Sequence, residues 1–398
     1  MKGPSAQQIR HYAAYCLGLK SYLQRPGDGR EHPSILAASL LWAILIGHIL
    51  RVSSFARLEW LAHSTARVGM GLPQDFSDDT LAYFTERLDA STTRAALAAA
   101  LHQAKRNKAF ENSRFIGLAV DGTGAGHTCK SPCPWCHPIK DSQGEVTGYV
   151  HHFVMISVVG AAGLSLPFDV EPYGPEDSEY TAGQRLLKRA ASLLGARFAD
   201  YVVADAKFAT APFLHAADEV NLPAVTRLKD NLPELCAAAQ ARFAGQAPHA
   251  VFAVEGDLVE VWDAEDFAPW ETLQWQSVRV LRYRQHKPNG AIVEAYWHTN
   301  FSIRQVGSLS LFRIAKSRWE IENQGFDEAK NLHGMEHIAH HEPNSLLLGW
   351  LLLLLAMLIE RLYRVRYLHR GDRAPRSAID LCFALWINLG CTPRQDSS

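Results

Sequence analysis

Two aspartates and one glutamate stand out by where they fall in the chain. Asp121 closes the apolar run Phe115 to Val120, and Asp205 closes the run Tyr201 to Ala204. Continuous apolar runs of this length, each stopped by an acid, predict buried strands that deliver a carboxylate at the tip. Glu322 lies far downstream, four residues after Arg318 and eight before Lys330. On a helix these three share a face, with one carboxylate between two cations. Three carboxylates from separate elements can hold two divalent cations about 3.5–4 Å apart, and hard Mg²⁺ (or Mn²⁺) prefers oxygen ligands. Such a pair activates an attacking oxygen and stabilises a leaving one, which is what phosphodiester chemistry requires. Singly the signals are weak, since Asp-Gly after a strand is often only a turn. Arg-Glu-Lys spacing also describes an ordinary salt-bridged helix. Glu320 competes as the third acid, but it sits about 200° around the helix from Glu322, so only one of them can face the aspartates. The choice falls on Glu322.

A second cluster has metal-like spacing. His127, Cys129, Cys133, Cys136 and His137 fall within eleven residues, with Cys-x-x-Cys at the centre. Four of the five can close a tetrahedral zinc site, with Cys129, Cys133, Cys136 and His137 (or His127) as the expected set. Reduced, metal-free thiols are the plain alternative. His333, His337, His340 and His341 follow the Glu322 helix. Imidazole is too soft to favour Mg²⁺, which leaves them hydrogen-bonding roles, His337 foremost. Trp319 reads as core rather than as a base-stacking residue.

The elements that must position these residues can be read in order. Up to about residue 110 the chain is helical, with Ser77-Asp78-Asp79 as a helix start and an alanine-rich helix from Ser91. Strands are expected at Phe115 to Val120, Phe153 to Val159, Leu164 to Val170, Tyr201 to Ala204 and Ala224 to Arg227. Helices are expected at Glu179 to Leu194 and around Ala211 to Val220. From about Asn231 to Asn300 the pattern is mainly β, with turns at Glu255-Gly256-Asp257 and Pro288-Asn289-Gly290. Helix returns from about Leu309 through Lys330 and again from Ser345. The charge-free runs Leu346 to Ile359 and Pro33 to Leu50 read as buried helices: the first is only about 21 Å long as a helix against a ~30 Å hydrocarbon core.

Composition sets the outer bounds. The chain has 398 residues, 47% hydrophobic and 20% charged, with 40 Lys plus Arg against 41 Asp plus Glu. That is a globular balance with no overall basic coat. Positive charge is local. Residues 1–111 hold thirteen Lys/Arg against nine Asp/Glu, and 361–376 hold six arginines against one acid. The stretch between Arg242 and Arg279 holds seven acids and no Lys or Arg. Seven cysteines imply no disulfide framework, and no targeting segment is read at the start, so a reducing cytoplasm is expected.

Asp121-Gly-Thr, Asp205 at a strand end and the string Arg318-Trp-x-Ile-Glu322-Asn-x-x-Phe-x-x-x-Lys330 resemble insertion-sequence transposases of the DDE type. The likeness is to the branch whose ribonuclease H-like core is split by a β-rich insertion. It covers most of residues 78–362 and includes the Cys-x-x-Cys. The resemblance implies that Asp121, Asp205 and Glu322 are metal-binding catalytic acids holding two Mg²⁺ (or Mn²⁺), and that Arg318 and Lys330 contact DNA near the scissile phosphate. The expected fold class is α/β: a ribonuclease H-like mixed sheet flanked by helices. The expected division is an N-terminal helical, DNA-binding domain (1–110), a catalytic core (111–230 and 308–365), a β-rich insertion (231–307) and a basic, irregular C-terminal segment (366–398). The expected activity is cleavage and strand transfer at terminal inverted repeats, into target DNA. A homodimer on paired ends is expected, nucleoid-associated in the cytoplasm and without a membrane. Competing readings are a nuclease that cuts without joining and an inactive DNA-binding relic. One departure bears on the last: related signatures carry Tyr three residues before the Arg, where this chain has Ala315.

Overall fold

The computed structural model describes residues 3–129, 132–367 and 377–391. Its centre is a mixed sheet with ten strands among the described residues. They are β1 (Ile116–Thr128), β2 (Cys136–Lys140), β3 (Val146–Gly160), β4 (Ser165–Tyr173), β5 (Tyr201–Ala204), β6 (Ala224–Leu228), β7 (Ala250–Val254), β8 (Asp257–Phe267), β9 (Val278–His286) and β10 (Ile292–Thr299). The order is β2-β3-β1-β5-β6-β10-β9-β8-β7, with β4 paired to β3 beside β2. Within it, β4-β3-β1-β5-β6 is the ribonuclease H-like arrangement: an antiparallel meander whose last-placed strand, β1, runs parallel to β5 and β6. Helices lie against both faces, so β1 and β5 are apolar almost without alternation, as strands covered on both sides must be.

The predicted strands and the helices Glu179–Leu194 and Ala211–Glu219 all appear, but β1 runs eight residues past Val120, so that Asp121 lies within the strand rather than at its tip, and β3 begins seven residues before Phe153. Four further expectations differ. The insertion is not a separate β unit, because β10 pairs with β6 and carries β9, β8 and β7 outward as an extension of the same sheet. It also includes a helix, Pro233–Phe243, begun by a proline at a position where no backbone N–H is required. The C-terminal segment read as irregular contains the helix Ala378–Asn388, opened by a Ser377/Asp380 capping box. Its arginines 370, 373 and 376 lie outside the described residues. Finally, the helix expected over 309–330 is three pieces: Ser308–Lys316, a wide π-turn segment Ile321–Asp327, and Glu328–His333.

The N-terminal helices share their core with the rest. The 25-residue helix Pro343–Tyr367 packs against β4 on one side and against Ala37–Ile49, Asp78–Arg87 and Ala90–Arg106 on the other. It is the one described helix long and apolar enough to cross a membrane, and 89% of its most apolar window is buried inside the structure. Ala37–Ile49 is apolar all round for the same reason: neighbours enclose it on every side.

Candidate active site

Strand register places the two aspartates side by side. Val120 pairs with Ala204 as the last parallel contact of β1 with β5, and the next residue on each chain is Asp. Gly117 makes this closeness workable. A Cβ there would lie 2.1 Å from the ring of Tyr201, its register partner. The freed space lets the Tyr201 hydroxyl donate to Ser317 Oγ at 2.9 Å, while Ser317 donates onward to the Ile314 carbonyl. This link pins the end of the helix Ser308–Lys316 to the sheet and fixes where Arg318 begins. Ala315 is fully buried, so a tyrosine would not fit there without displacing the packing.

The π-turn segment then brings Glu322 round. Gly325 packs so closely on β3 that a Cβ would meet Met155 at 2.6 Å, and Met155 is the register partner of Asp121. Arg361 closes the segment from behind, donating to the Gln324 carbonyl and the Glu328 carboxylate at 2.6 Å each, and to the Ser165 carbonyl. On the open side, Arg318 Nη1 donates to Asp121 Oδ2 at 3.0 Å and to Glu322 Oε1 at 2.8 Å. Asp121 and Glu322 are thus held across one guanidinium. Glu320 turns away, accepting from Gln324 Nε2 beside the Gly160–Gly163 turn.

A family model described as Transposase DDE domain matches residues 113–359. The chain belongs to that family, whose activity is DNA transposition. No curated protein matches the chain. The matched span runs from just before β1 into the helix Pro343–Tyr367, and so includes Asp121, Asp205 and Glu322.

The electrostatics of the transposase site favour an added cation. Burial, opposed by Arg318 and reinforced by the charges of Asp205 and Glu322, pushes the Asp121 carboxyl up to about 7. Asp205 accepts the Lys207 backbone N–H at 2.8 Å, which turns its carboxylate at the mouth of β5. Two neighbours escape sequence reading. Glu179 opens the helix Glu179–Leu194 and leans over Gly122, where a Cβ would lie 2.4 Å from its carboxyl; its buried Oε1 has no partner. Lys207 pairs with Glu179 at 3.3 Å, and its ammonium is held above its ordinary value first by Glu179, then by Asp205 and Asp121. An acid at a helix start is ordinary, so nothing in the sequence marked Glu179 as a neighbour of Asp121. The donor set is entirely hard oxygen, it crowds like charges, and it leaves one buried oxygen unpaired. Divalent Mg²⁺ or Mn²⁺ fits it.

The two predicted DNA-contacting cations differ. Arg318 is only 4% exposed and faces the acids. Lys330 donates to the Gly124 carbonyl at 2.7 Å and pairs with Glu336 at 3.3 Å, three residues beyond Asp121 along β1. Trp319 is half-buried, edge-on to Trp297, with Lys316 and Arg318 over its ring at 4.4 and 4.9 Å.

The expected zinc set is not the one the fold gathers. Cys133 and Cys136 come together with His151 and His341; Cys129 and His137 stand apart. Cys136 and His151 are register partners on β2 and β3, and opposed residues share a face. His137, one residue on, necessarily points to the other face, where it bonds the Tyr173 carbonyl and meets the ring of His152. Cys129 follows a β-bulge after Ala125, with Gly126 at φ +70°, and its thiol faces the exposed Thr147 carbonyl. The other histidines also have partners: His333 meets Glu360, and His340 meets Glu86. His337 sits beside His48 in a small cavity away from the acids.

Proposed function

We propose that this transposase binds the terminal inverted repeats of its own element, cleaves one phosphodiester to free a 3′-hydroxyl, and joins that end to target DNA. What most supports this reading is the parallel pairing of β1 with β5, past whose last contact the next residue on each strand is an aspartate, with Glu322 tied to the first of them through Arg318. Asp121, Asp205 and Glu322 are the metal-holding acids. Two bound divalent cations would supply activation of the attacking oxygen and stabilisation of the leaving one. Arg318 holds Asp121 and Glu322 in reach of each other before DNA arrives, and turns to the scissile phosphate once cations take over that charge. Lys330, lodged on the backbone of β1, meets the phosphate backbone beside it. Near-zero net charge is no obstacle, because phosphate contacts act locally through counterion release. A homodimer on paired ends, working at the nucleoid, accounts for joining two ends at once.

A supercoiled plasmid carrying the element's two ends, incubated with Mg²⁺, should yield 3′-hydroxyl cuts and joined products. Asp205→Asn keeps side-chain volume but removes a ligand charge. It should lower cleavage at least 1,000-fold, about 4 kcal/mol of barrier, with end binding nearly unchanged. Asp205→Asn activity within tenfold of wild type overturns the assignment. Ends that are cut but never joined would establish a nuclease instead.

A further inference from the structure

Cys133, Cys136, His151 and His341 come from four separate places: the excursion after β1, the start of β2, the middle of β3 and the segment beyond the Glu322 helix. Their ligand atoms all lie within 4.8 Å of one another. The two sulfurs are 3.6 Å apart, too far for a disulfide. His151 Nε2 lies 3.3 and 3.4 Å from the two sulfurs, His341 Nε2 lies 3.6 Å from Cys136 Sγ, and the two nitrogens are 3.2 Å apart. A tetrahedral ion with sulfur at ~2.3 Å and nitrogen at ~2.0–2.1 Å requires edges of roughly 3.8 Å between sulfurs, 3.6 Å between sulfur and nitrogen and 3.4 Å between nitrogens. Five of the six edges lie within about 0.3 Å of those figures, and the sixth, from Cys133 to His341, is within 4.8 Å.

The surroundings select the ligand form of each group. His151 Nδ1 donates to the Gly126 carbonyl at 2.8 Å, so its Nε2 presents a lone pair toward the sulfurs. The Cys133 backbone N–H points at Cys136 Sγ at 3.3 Å and fixes where that sulfur sits. His151 is fully buried, Cys136 nearly so, and Trp350 lies edge-on to the His151 ring at 6.0 Å. Two sulfurs and two imidazoles in tetrahedral array suit zinc and are too soft for Mg²⁺.

We propose that Cys133, Cys136, His151 and His341 bind one structural zinc ion, the two thiols releasing their protons as it enters. The ion closes a clasp across the fold. Gly126, which orients His151, is five residues beyond Asp121 on β1, and its N–H donates to Glu336 at 3.1 Å. His341 follows the π-turn segment that carries Glu322. Zinc therefore fastens the strand of one acid to the segment of another, at a distance from both.

Zinc content of the purified full-length chain, after dialysis against Mg²⁺ buffer, tests this without reference to DNA cleavage. Wild type, Cys129→Ser and Asp205→Asn should each hold about one zinc per chain, whereas Cys136→Ser and His341→Ala should hold almost none. Should those last two variants fail to fold, Co²⁺-loaded wild type and Cys129→Ser decide the matter. Both should show tetrahedral cobalt with thiolate charge-transfer absorption. Wild type without zinc, iron in its place, loss of zinc in Cys129→Ser, retention in Cys136→Ser, or cobalt lacking thiolate absorption would each overturn the assignment. None of these outcomes bears on whether the acids cleave DNA.

Discussion

The molecule holds two clusters of ligating side chains, linked through β1, which carries Asp121 and, five residues on, the Gly126 carbonyl that orients His151, and they are assembled in opposite ways. Asp121, Asp205 and Glu322 are like charges driven together by strand register and by a π-turn, with Arg318 as the cation between two of them. Cys133, Cys136, His151 and His341 are soft donors that converge on one point, with backbone groups orienting Cys136 and His151. The first cluster stores repulsion that an incoming divalent cation relieves, which suits exchangeable metals that must also accept a phosphate. The second is closed and largely buried, which suits an ion that stays. On the proposed reading, a difference in chemistry between neighbours would become a difference in lifetime of the bound metal.

The largest effect should separate acids of one helical segment. Glu322→Gln should lower joining by several orders of magnitude, and Glu320→Gln by less than tenfold, since Glu320 faces Gln324 and the Gly160–Gly163 turn. A tenfold change corresponds to only about 1.4 kcal/mol, so the gap is easily measured by single-turnover joining. Equal losses would mean that Glu320 reaches the aspartates. A smaller, indirect effect should follow from the soft cluster. Cys133→Ser/Cys136→Ser should lower the melting temperature and reduce cleavage by about 10- to 100-fold, the range typical of groups that support a metal site. Added Mg²⁺ should not restore it. Full activity in a zinc-free double variant would uncouple the clasp from the acids.

The same contrast explains what could be read from the chain. The nearness of Asp121 and Asp205 was legible because strands buried on both faces advertise themselves as apolar runs; Asp205 does follow the tip of β5, whereas β1 continues past Asp121 to Thr128. Glu322 was legible by its partners at 318 and 330, although an α-helix was assumed where the chain widens into a π-turn. The wide turn arises from tertiary contacts, Gly325 on Met155 and Arg361 on Gln324, and no local pattern encodes those. The soft cluster was half legible. Cys-x-x-Cys is local, but His151 and His341 join it through the β2–β3 register and a contact across 205 positions of sequence. His137 and Cys129 were closer in sequence, but strand alternation turned the first away and the bulge after Ala125 the second. The insertion was recognised as β, yet its continuity with β6 depends on a pairing between Tyr296–Thr299 and Val225–Leu228 that composition does not reveal.

The last effect is on stability rather than on cleavage and concerns Asp121 before any cation binds. Its folded value of about 7 stands well above the ordinary aspartate value near 3.9. As pH rises, the unfolded chain loses this proton first, so between about pH 4 and 7 the folded state holds more protons. Stability must then fall with pH across that window, by at most about 1.4 kcal/mol per pH unit for one group. The contribution is fully present below about 4 and gone above about 7. Melting curves in chelator should show this decline in wild type but not in Asp121→Asn, where the remaining titrations act alone. Mg²⁺ should flatten the wild-type curve, because a cation favours the carboxylate in the folded state. Zinc bound by the soft cluster should leave the decline in place. Parallel curves for wild type and Asp121→Asn in chelator would mean that Arg318 already keeps the carboxylate ionised, and that the hard cluster is balanced before metal arrives.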